Sequence, residues 1–86
     1  MRWRLLDPYG RRGAWRGYLD GIDEICGAPV AAADPCDAPW GWTWRVWRAP
    51  AAPGEDAAQR GWAATLEAAQ DAAVAVRAVM LSKAAA

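Results

Sequence analysis

Apolar and polar residues alternate with a period of two in the middle of the chain, and this alternation predicts a β-strand at residues 40–48. The stretch holds four of the seven tryptophans. Side chains of a strand point alternately to opposite faces of a sheet. The face predicted to join the core carries Trp40, Trp42, Trp44 and Val46. Arg45 and Trp47 are predicted to lie on the opposite face.

Two shorter alternating stretches near the N-terminus predict a β-hairpin over residues 2–20. Residues 2–7 form its first strand and residues 14–20 its second. The sequence Gly-Arg-Arg-Gly at 10–13 separates them, and its glycines can adopt the positive φ angles that tight turns use. In both strands a tryptophan directly precedes an arginine, so the ring and the guanidinium are predicted on opposite faces.

The segments on either side of residues 40–48 are rich in proline and glycine, which indicates connections. Residues 21–39 are predicted to form an irregular connection, with room for a short extended piece at residues 30–33. Residues 49–64 begin as a proline-rich connector. Their second half fits either the start of a helix or a short fourth strand, and both alternatives stay open from the sequence.

A C-terminal helix is predicted over residues 65–82. Thr65 is a suitable N-cap, and Glu67 places a negative charge in the first turn, where the helix dipole favours it. Apolar residues at helical spacing predict a buried stripe formed by Leu66, Ala69, Ala73, Val76 and Met80. Arg77 is assigned to the polar side, and residues 82–86 are predicted to fray.

These elements predict one small α+β domain that spans residues 1–86. It consists of a three- or four-stranded antiparallel sheet with one C-terminal helix packed on one face. The helix is rich in alanine, so it can lie close to a sheet face crowded with indole rings. The other face of the sheet is then left uncovered by the helix.

Composition argues against several classes of function. Ten basic and ten acidic residues give a net charge of zero, which disfavours strong sequence-independent binding of polyanions. The chain has no histidine, the commonest general base, and no recognisable catalytic or phosphate-binding motif. We therefore expect a protein that is not an enzyme and uses no cofactor.

The two cysteines, Cys26 and Cys36, are too few for a structural zinc site, so no metal is expected. Whether they form a disulfide stays open. We find no stretch apolar enough to span a membrane and no signal peptide, and a soluble, cytoplasmic protein without membrane contacts is expected.

The dipeptide Trp-Arg recurs in all three predicted strands, at positions 3–4, 15–16, 44–45 and 47–48. If Trp3, Trp15 and Trp44 face the helix, the arginines that directly follow them face away. Tyr18 and Trp47 fall on the same outer face. Tryptophan, tyrosine and arginine are enriched in the hot spots of protein interfaces. The predicted partner-binding residues are therefore Arg4, Arg16, Tyr18, Arg45 and Trp47.

The residue types on this face leave other interpretations open. Arginines with interleaved aromatic rings can also hold phosphates and stack bases, which would make the chain a nucleic-acid-binding module. Two copies could pack these faces together as a homodimer or self-associating structural module. A solvated sheet face would explain the same pattern without a partner, because a guanidinium over an aromatic ring contributes about 0.5–1 kcal/mol.

The entry to the predicted helix, residues 61–69 (GWAATLEAA), resembles a G-x-A-x-T-x-x-x-A pattern of small phage and bacterial proteins in which strands precede a helix. In size, neutrality and lack of catalytic residues, the chain is similar to phage-encoded accessory proteins of the anti-CRISPR type. This resemblance implies a non-enzymatic inhibitor that binds a larger protein or ribonucleoprotein complex. It would block a bacterial immunity system by steric occlusion.

Overall fold

The computed structural model describes residues 1–6, 13–21, 27–36, 41–52 and 54–85. Within these ranges, five antiparallel strands form one sheet, and one helix packs on it. The elements are β1 (Arg2–Leu5), β2 (Trp15–Tyr18), β3 (Ala31–Pro35), β4 (Trp42–Val46), β5 (Gln59–Ala63) and α1 (Leu66–Ala85).

The strands lie in the sheet in the same order as in the chain, and each pairs antiparallel with its neighbours. The predicted α+β class with a C-terminal helix is confirmed, whereas the prediction of three or four strands is too low. The strand that was missed is β3, at the centre of the sheet. The prediction of an irregular connection over residues 21–39 is therefore wrong for Ala31–Pro35. The open alternative for residues 49–64 is resolved as a strand, β5.

The composition of β3 is unusual for a strand, because alanine is depleted in strands and has little surface to pack. Ala31, Ala32 and Ala33 nevertheless have no exposed surface. Ala31 and Ala33 belong to the core on the helix side, and Ala32 lies on the other side between two neighbouring strands. A small side chain at the sheet centre leaves room for larger neighbours on both faces.

Pro35 is tolerated in β3 because of the direction in which its nitrogen points. The next residue, Cys36, donates its N–H to the carbonyl oxygen of Gly41 on the β4 side at 2.9 Å. Since successive N–H groups of a strand point to opposite sides, the nitrogen of Pro35 faces the β2 side. Pairing with β2 has already ended there, at Trp15 and Ala33. The missing N–H therefore removes no hydrogen bond from the ladder.

The core on the helix side combines large and small residues. One row of paired positions across the sheet contains Leu5, Trp15, Ala33, Trp44 and Gly61. Each tryptophan in this row lies beside a small residue. The indole of Trp44 covers Gly61 so closely that a methyl group at Gly61 would lie 2.6 Å from Cε2 of the ring. Gly61 is therefore required by packing.

The helix begins as predicted, because the Oγ1 atom of Thr65 accepts the N–H of Ala68 at 3.1 Å and acts as the N-cap. Of the predicted apolar stripe, Ala69, Ala73 and Met80 are buried, while the other two residues are partly buried against the core. The helix continues to Ala85, beyond the predicted end at residue 82.

Arg77 corrects the predicted polar side of the helix, because only 8% of its surface is exposed. Its Nε donates to the carbonyl oxygen of Trp47 at 2.9 Å, and its Nη2 donates to that of Arg48 at 2.8 Å. Burial lowers the pKa of the Arg77 guanidinium, which cannot be deprotonated at ordinary pH. The side chain thus joins the middle of α1 to the backbone that leaves β4.

Three features discussed for the sequence lie wholly or partly outside the described residues. They are the turn at residues 10–13, of which only Gly13 is described, the position of Trp40, and the state of Cys26. Cys36 is a half-buried free thiol.

Candidate functional site: the outer face of the sheet

The predicted separation of the two sheet faces is confirmed for the described strands. Trp3, Trp15 and Trp44 pack with the core beneath the helix. The arginines that follow them in the sequence lie on the opposite, outer face, because strand neighbours alternate. The strand register then brings these arginines, which are far apart in the chain, into one line.

This line, the arginine row, consists of Arg4, Arg16, Arg45 and Arg60. Arg4 pairs with Arg16, and Arg45 pairs with Arg60, while Ala32 lies between the two pairs. The row crosses all five strands, a distance of about 19 Å at about 4.8 Å between neighbouring strands. Side by side, four guanidiniums repel one another unless an anion compensates their charge.

Asp34 supplies part of that compensation from the centre of the sheet. Its Oδ1 accepts Nη1 of Arg16 at 2.7 Å, and its Oδ2 accepts Nη2 of Arg45 at 3.1 Å. The carboxylate side chain is 25% exposed, so water screens these contacts only in part. Asp34 therefore holds two members of the row in fixed positions and neutralises one of their charges.

Arg60 completes the row at its β5 end. It is exposed, and no ion pair joins it to any residue in the described part of the chain. Its neighbour in the register is Arg45, whose side chain is 38% exposed. Positive charge that can reach a ligand is therefore available at the β4–β5 end of the row.

Tyr18 and Trp47 were predicted to contact a partner, but they are only 3% and 5% exposed. Trp47 lies beneath the connector that follows β4, and its Nε1 donates to the carbonyl oxygen of Glu55 at 3.1 Å. The guanidinium of Arg45 lies 5.3 Å from the centre of the Trp47 ring, a cation–π contact. Trp47 thus supports Arg45, and the accessible members of the predicted set are the three arginines.

A groove of about 590 Å³ lies beside this cation–π pair. One wall contains Arg45, Trp47 and Arg60, and the others come from residues 27–29, 51–52 and 54–57. Glu55 and Asp56 place carboxylates on the wall formed by the connector. The groove therefore has arginines on its sheet side and acidic residues on its connector side.

A smaller cleft of about 220 Å³ adjoins the groove between β4 and β5. It shares Arg45 and Arg60 with the groove, and its other lining residues are Thr43, Trp44, Gly61 and Trp62. Trp62 is 59% exposed, which is high for so large a ring. Trp47, which is buried, and Trp62, which is exposed, thus flank the same two arginines.

The residues that sequence reasoning missed are Asp34, Arg60 and Trp62. Asp34 was assigned no role, because its strand was not recognised. Arg60 and Trp62 are two positions apart, and in a strand that spacing places both side chains on one face. The spacing is present in the sequence. It does not place the two side chains on one face unless the segment is a strand, and the sequence left the second half of residues 49–64 open between helix and strand.

The remaining chemistry of the described residues is limited. Within the described ranges, no group of three or more cysteine, aspartate or glutamate residues is placed to hold a metal ion. No helix in the same ranges has both the length and the apolar character needed to cross a membrane. Glu67 and Asp71 are exposed on α1, across the sheet from the arginine row.

Comparison with protein families, with curated proteins and with solved structures finds no match. The function must therefore be inferred from the outer face itself.

Proposed function

We propose that this chain is a non-enzymatic binding protein that docks its outer sheet face on an acidic surface of a larger protein complex. The contact would be made by the arginine row, and the body of the domain would occlude what the partner needs for its activity. In its sharpest form, the partner is a bacterial immunity complex of the CRISPR–Cas kind and the chain is an inhibitor carried by a phage or another mobile element.

The observation that carries this proposal is the arginine row itself. Four arginines lie in one row across the sheet, and Asp34 orients two of them, Arg16 and Arg45, before any partner binds. Arginine is favoured at interfaces because its planar fork matches carboxylates with two parallel hydrogen bonds. Positioning the side chains in advance lowers the entropy that binding must overcome.

Charge reversal at the β1 end of the face tests the docking. The double variant Arg2→Glu/Arg4→Glu changes the charge by four units and replaces neither Asp34 nor the two arginines that donate to it. The variant Arg48→Glu/Lys83→Glu makes the same charge change at two exposed positions outside the row, and it is the matched control. Circular dichroism and urea unfolding establish that all three proteins are folded.

Quantitative affinity capture from a bacterial lysate that carries an active CRISPR–Cas system then compares the three proteins. We expect a partner that the wild type and the control capture in equal amounts. The Arg2/Arg4 variant should capture at least about tenfold less of it. A partner list that the two variants change equally would mean that net charge, and not this face, governs the contact. That result would exclude the docking surface.

The inhibitor form has a separate test in living cells. A strain whose CRISPR–Cas system targets a phage is infected while expressing the wild type, the Arg2/Arg4 variant or the control. Rescue of plaque formation by the wild type and the control, but not by the Arg2/Arg4 variant, is the expected result. Unchanged restriction of the phage in all three strains would exclude the hypothesis that the chain inhibits immunity. The docking proposal would then be decided by the capture experiment alone.

A further inference from the structure

The cleft between β4 and β5 combines two chemistries within the length of one small ligand. Arg45 and Arg60 are paired across neighbouring strands, and Trp62 follows Arg60 by two residues on the same face. Two positions along a strand correspond to about 6.6–6.8 Å of backbone. Trp62 is therefore separated by this distance along β5 from Arg60, one of the two paired arginines. A ligand that suits this cleft carries an anion and a flat aromatic group at a similar separation.

We propose that this cleft binds a nucleotide unit, with its phosphate between Arg45 and Arg60 and its base on the ring of Trp62. A sugar separates the phosphate from the base over a comparable distance. The nucleotide can be free or part of a single strand, since both present the same unit. The proposal does not depend on docking to a protein, and the docking variant at Arg2 and Arg4 leaves the residues of this cleft unchanged.

The phosphate position follows from the availability of charge. Arg60 has no acidic partner in the described part of the chain, and Arg45 uses Nη2 for Asp34 while its guanidinium retains further N–H groups. Arginine forks bind phosphate oxygens with paired, charge-assisted hydrogen bonds. Trp47 fixes Arg45 from below through the 5.3 Å cation–π contact, so the phosphate would meet a guanidinium that is already positioned.

The base position follows from exposure and from charge. Trp62 is 59% exposed beside the cleft, and base stacking on an accessible aromatic ring tolerates every base. The opposite direction leads into the larger groove, where Glu55 and Asp56 would repel a second phosphate. The site therefore fits one phosphate with the base directed toward Trp62.

Titrations of the full chain followed by ¹H–¹⁵N NMR test the two halves of the site separately. The ligands are adenosine monophosphate, adenosine, inorganic phosphate, a deoxyadenylate hexamer and a hexaglutamate peptide. The Trp62 indole N–H signal, identified by its absence in Trp62→Tyr, reports the stacking half. The Arg60 backbone amide reports the phosphate half.

We expect adenosine monophosphate to bind about tenfold or more tightly than either adenosine or phosphate. Arg60→Gln, which leaves Arg45 in place, should reduce its affinity toward that of adenosine, and Trp62→Ala should reduce it to that of phosphate. Trp62→Tyr, which keeps a stacking ring, and Arg48→Gln, which removes an exposed arginine outside the row, should stay within about twofold of the wild type.

The hexamer distinguishes the two sources of the nucleotide. Affinity that exceeds that of the monophosphate and falls steeply with salt identifies a single strand, and equal affinity identifies a free nucleotide. Either result supports the site. The proposal fails if the monophosphate binds no more tightly than phosphate, or if Arg48→Gln weakens it as much as Arg60→Gln does. It also fails if hexaglutamate shifts the Trp62 signal while the nucleotides do not.

Discussion

Replacement of Arg77 by methionine is predicted to destabilise the fold more than its position on a surface helix would indicate. Methionine keeps most of the aliphatic stem but removes both donors. The carbonyl oxygens of Trp47 and Arg48 then lose partners that lie at 2.9 and 2.8 Å. These bonds connect α1 to the chain that leaves the central region of the sheet, so the loss affects the packing of helix on sheet.

The magnitude follows from two opposing terms. Hydrogen bonds to charged groups contribute about 1.5–3 kcal/mol each, so two of them contribute about 3–6 kcal/mol. Removing the guanidinium also removes the cost of burying its charge, which is the effect that lowers the Arg77 pKa. We expect a net loss of about 2–4 kcal/mol for Arg77→Met and about half of that for Arg77→Lys, which can keep one bond. At about 4–8 °C per kcal/mol in a domain of this size, 3 kcal/mol lowers Tm by about 12–24 °C.

Urea unfolding followed by tryptophan fluorescence and circular dichroism measures these differences. Lys83→Met, which removes an exposed cation from the same helix, is the control and should change stability by less than about 0.5 kcal/mol. The guanidinium is protonated in both the folded and the unfolded state at ordinary pH. A lowered pKa of a base could change stability only near the top of the pH scale, so the loss should be equal at about pH 5 and pH 9. A loss below about 1 kcal/mol for Arg77→Met would refute the role assigned to the two hydrogen bonds.

Two further substitutions test other parts of the structure by the same unfolding assay. Gly61→Ala places a methyl group 2.6 Å from Cε2 of Trp44 and should cost about 1–3 kcal/mol, part of which Trp44→Phe should recover in the double variant. A neutral Gly61→Ala would contradict the observed packing. Asp34→Asn removes the charge from both ion pairs of Asp34, whose partners have side-chain exposures of 19% and 38%. Screening limits the expected loss to about 1 kcal/mol, and it should shrink as salt rises, whereas a salt-independent loss would contradict an electrostatic origin.

The sequence alone predicts which residues lie on each face of the sheet, because this depends only on alternation within a single strand. The Trp-Arg alternation predicts which ring packs under the helix and which guanidinium faces outward wherever a strand is recognised. The helical stripe is local in the same sense, since Ala69, Ala73 and Met80 follow from spacing alone. These predictions need only the period of the backbone and no knowledge of which strands are neighbours.

What could not be predicted depends on contacts between distant parts of the chain. β3 consists of alanine, aspartate and proline, and it is a strand because its neighbours need small residues between indoles and arginines. Asp34 meets Arg16 and Arg45 across 18 and 11 positions of sequence, a meeting that only the register of three strands creates. The burial of Tyr18 and Trp47 likewise cannot follow from alternation, because the period of a strand gives the face of a residue and not what lies over that face.

Asp34 has two opposing effects on any anion that approaches the outer face. It neutralises one charge of the row, which lowers the long-range attraction, and it holds two guanidiniums in place, which lowers the entropy lost on binding. If attraction dominates, Asp34→Asn should bind a nucleotide or an acidic partner more tightly. If fixed orientation dominates, the variant should bind more weakly despite its greater positive charge. The cleft at β5 uses Arg60, which Asp34 does not contact, together with Arg45, which Trp47 also positions. The orientation of the guanidiniums in this cleft therefore depends less on Asp34 than the orientation of Arg16 does. Asp34→Asn should accordingly change anion binding differently at the cleft and at Arg16.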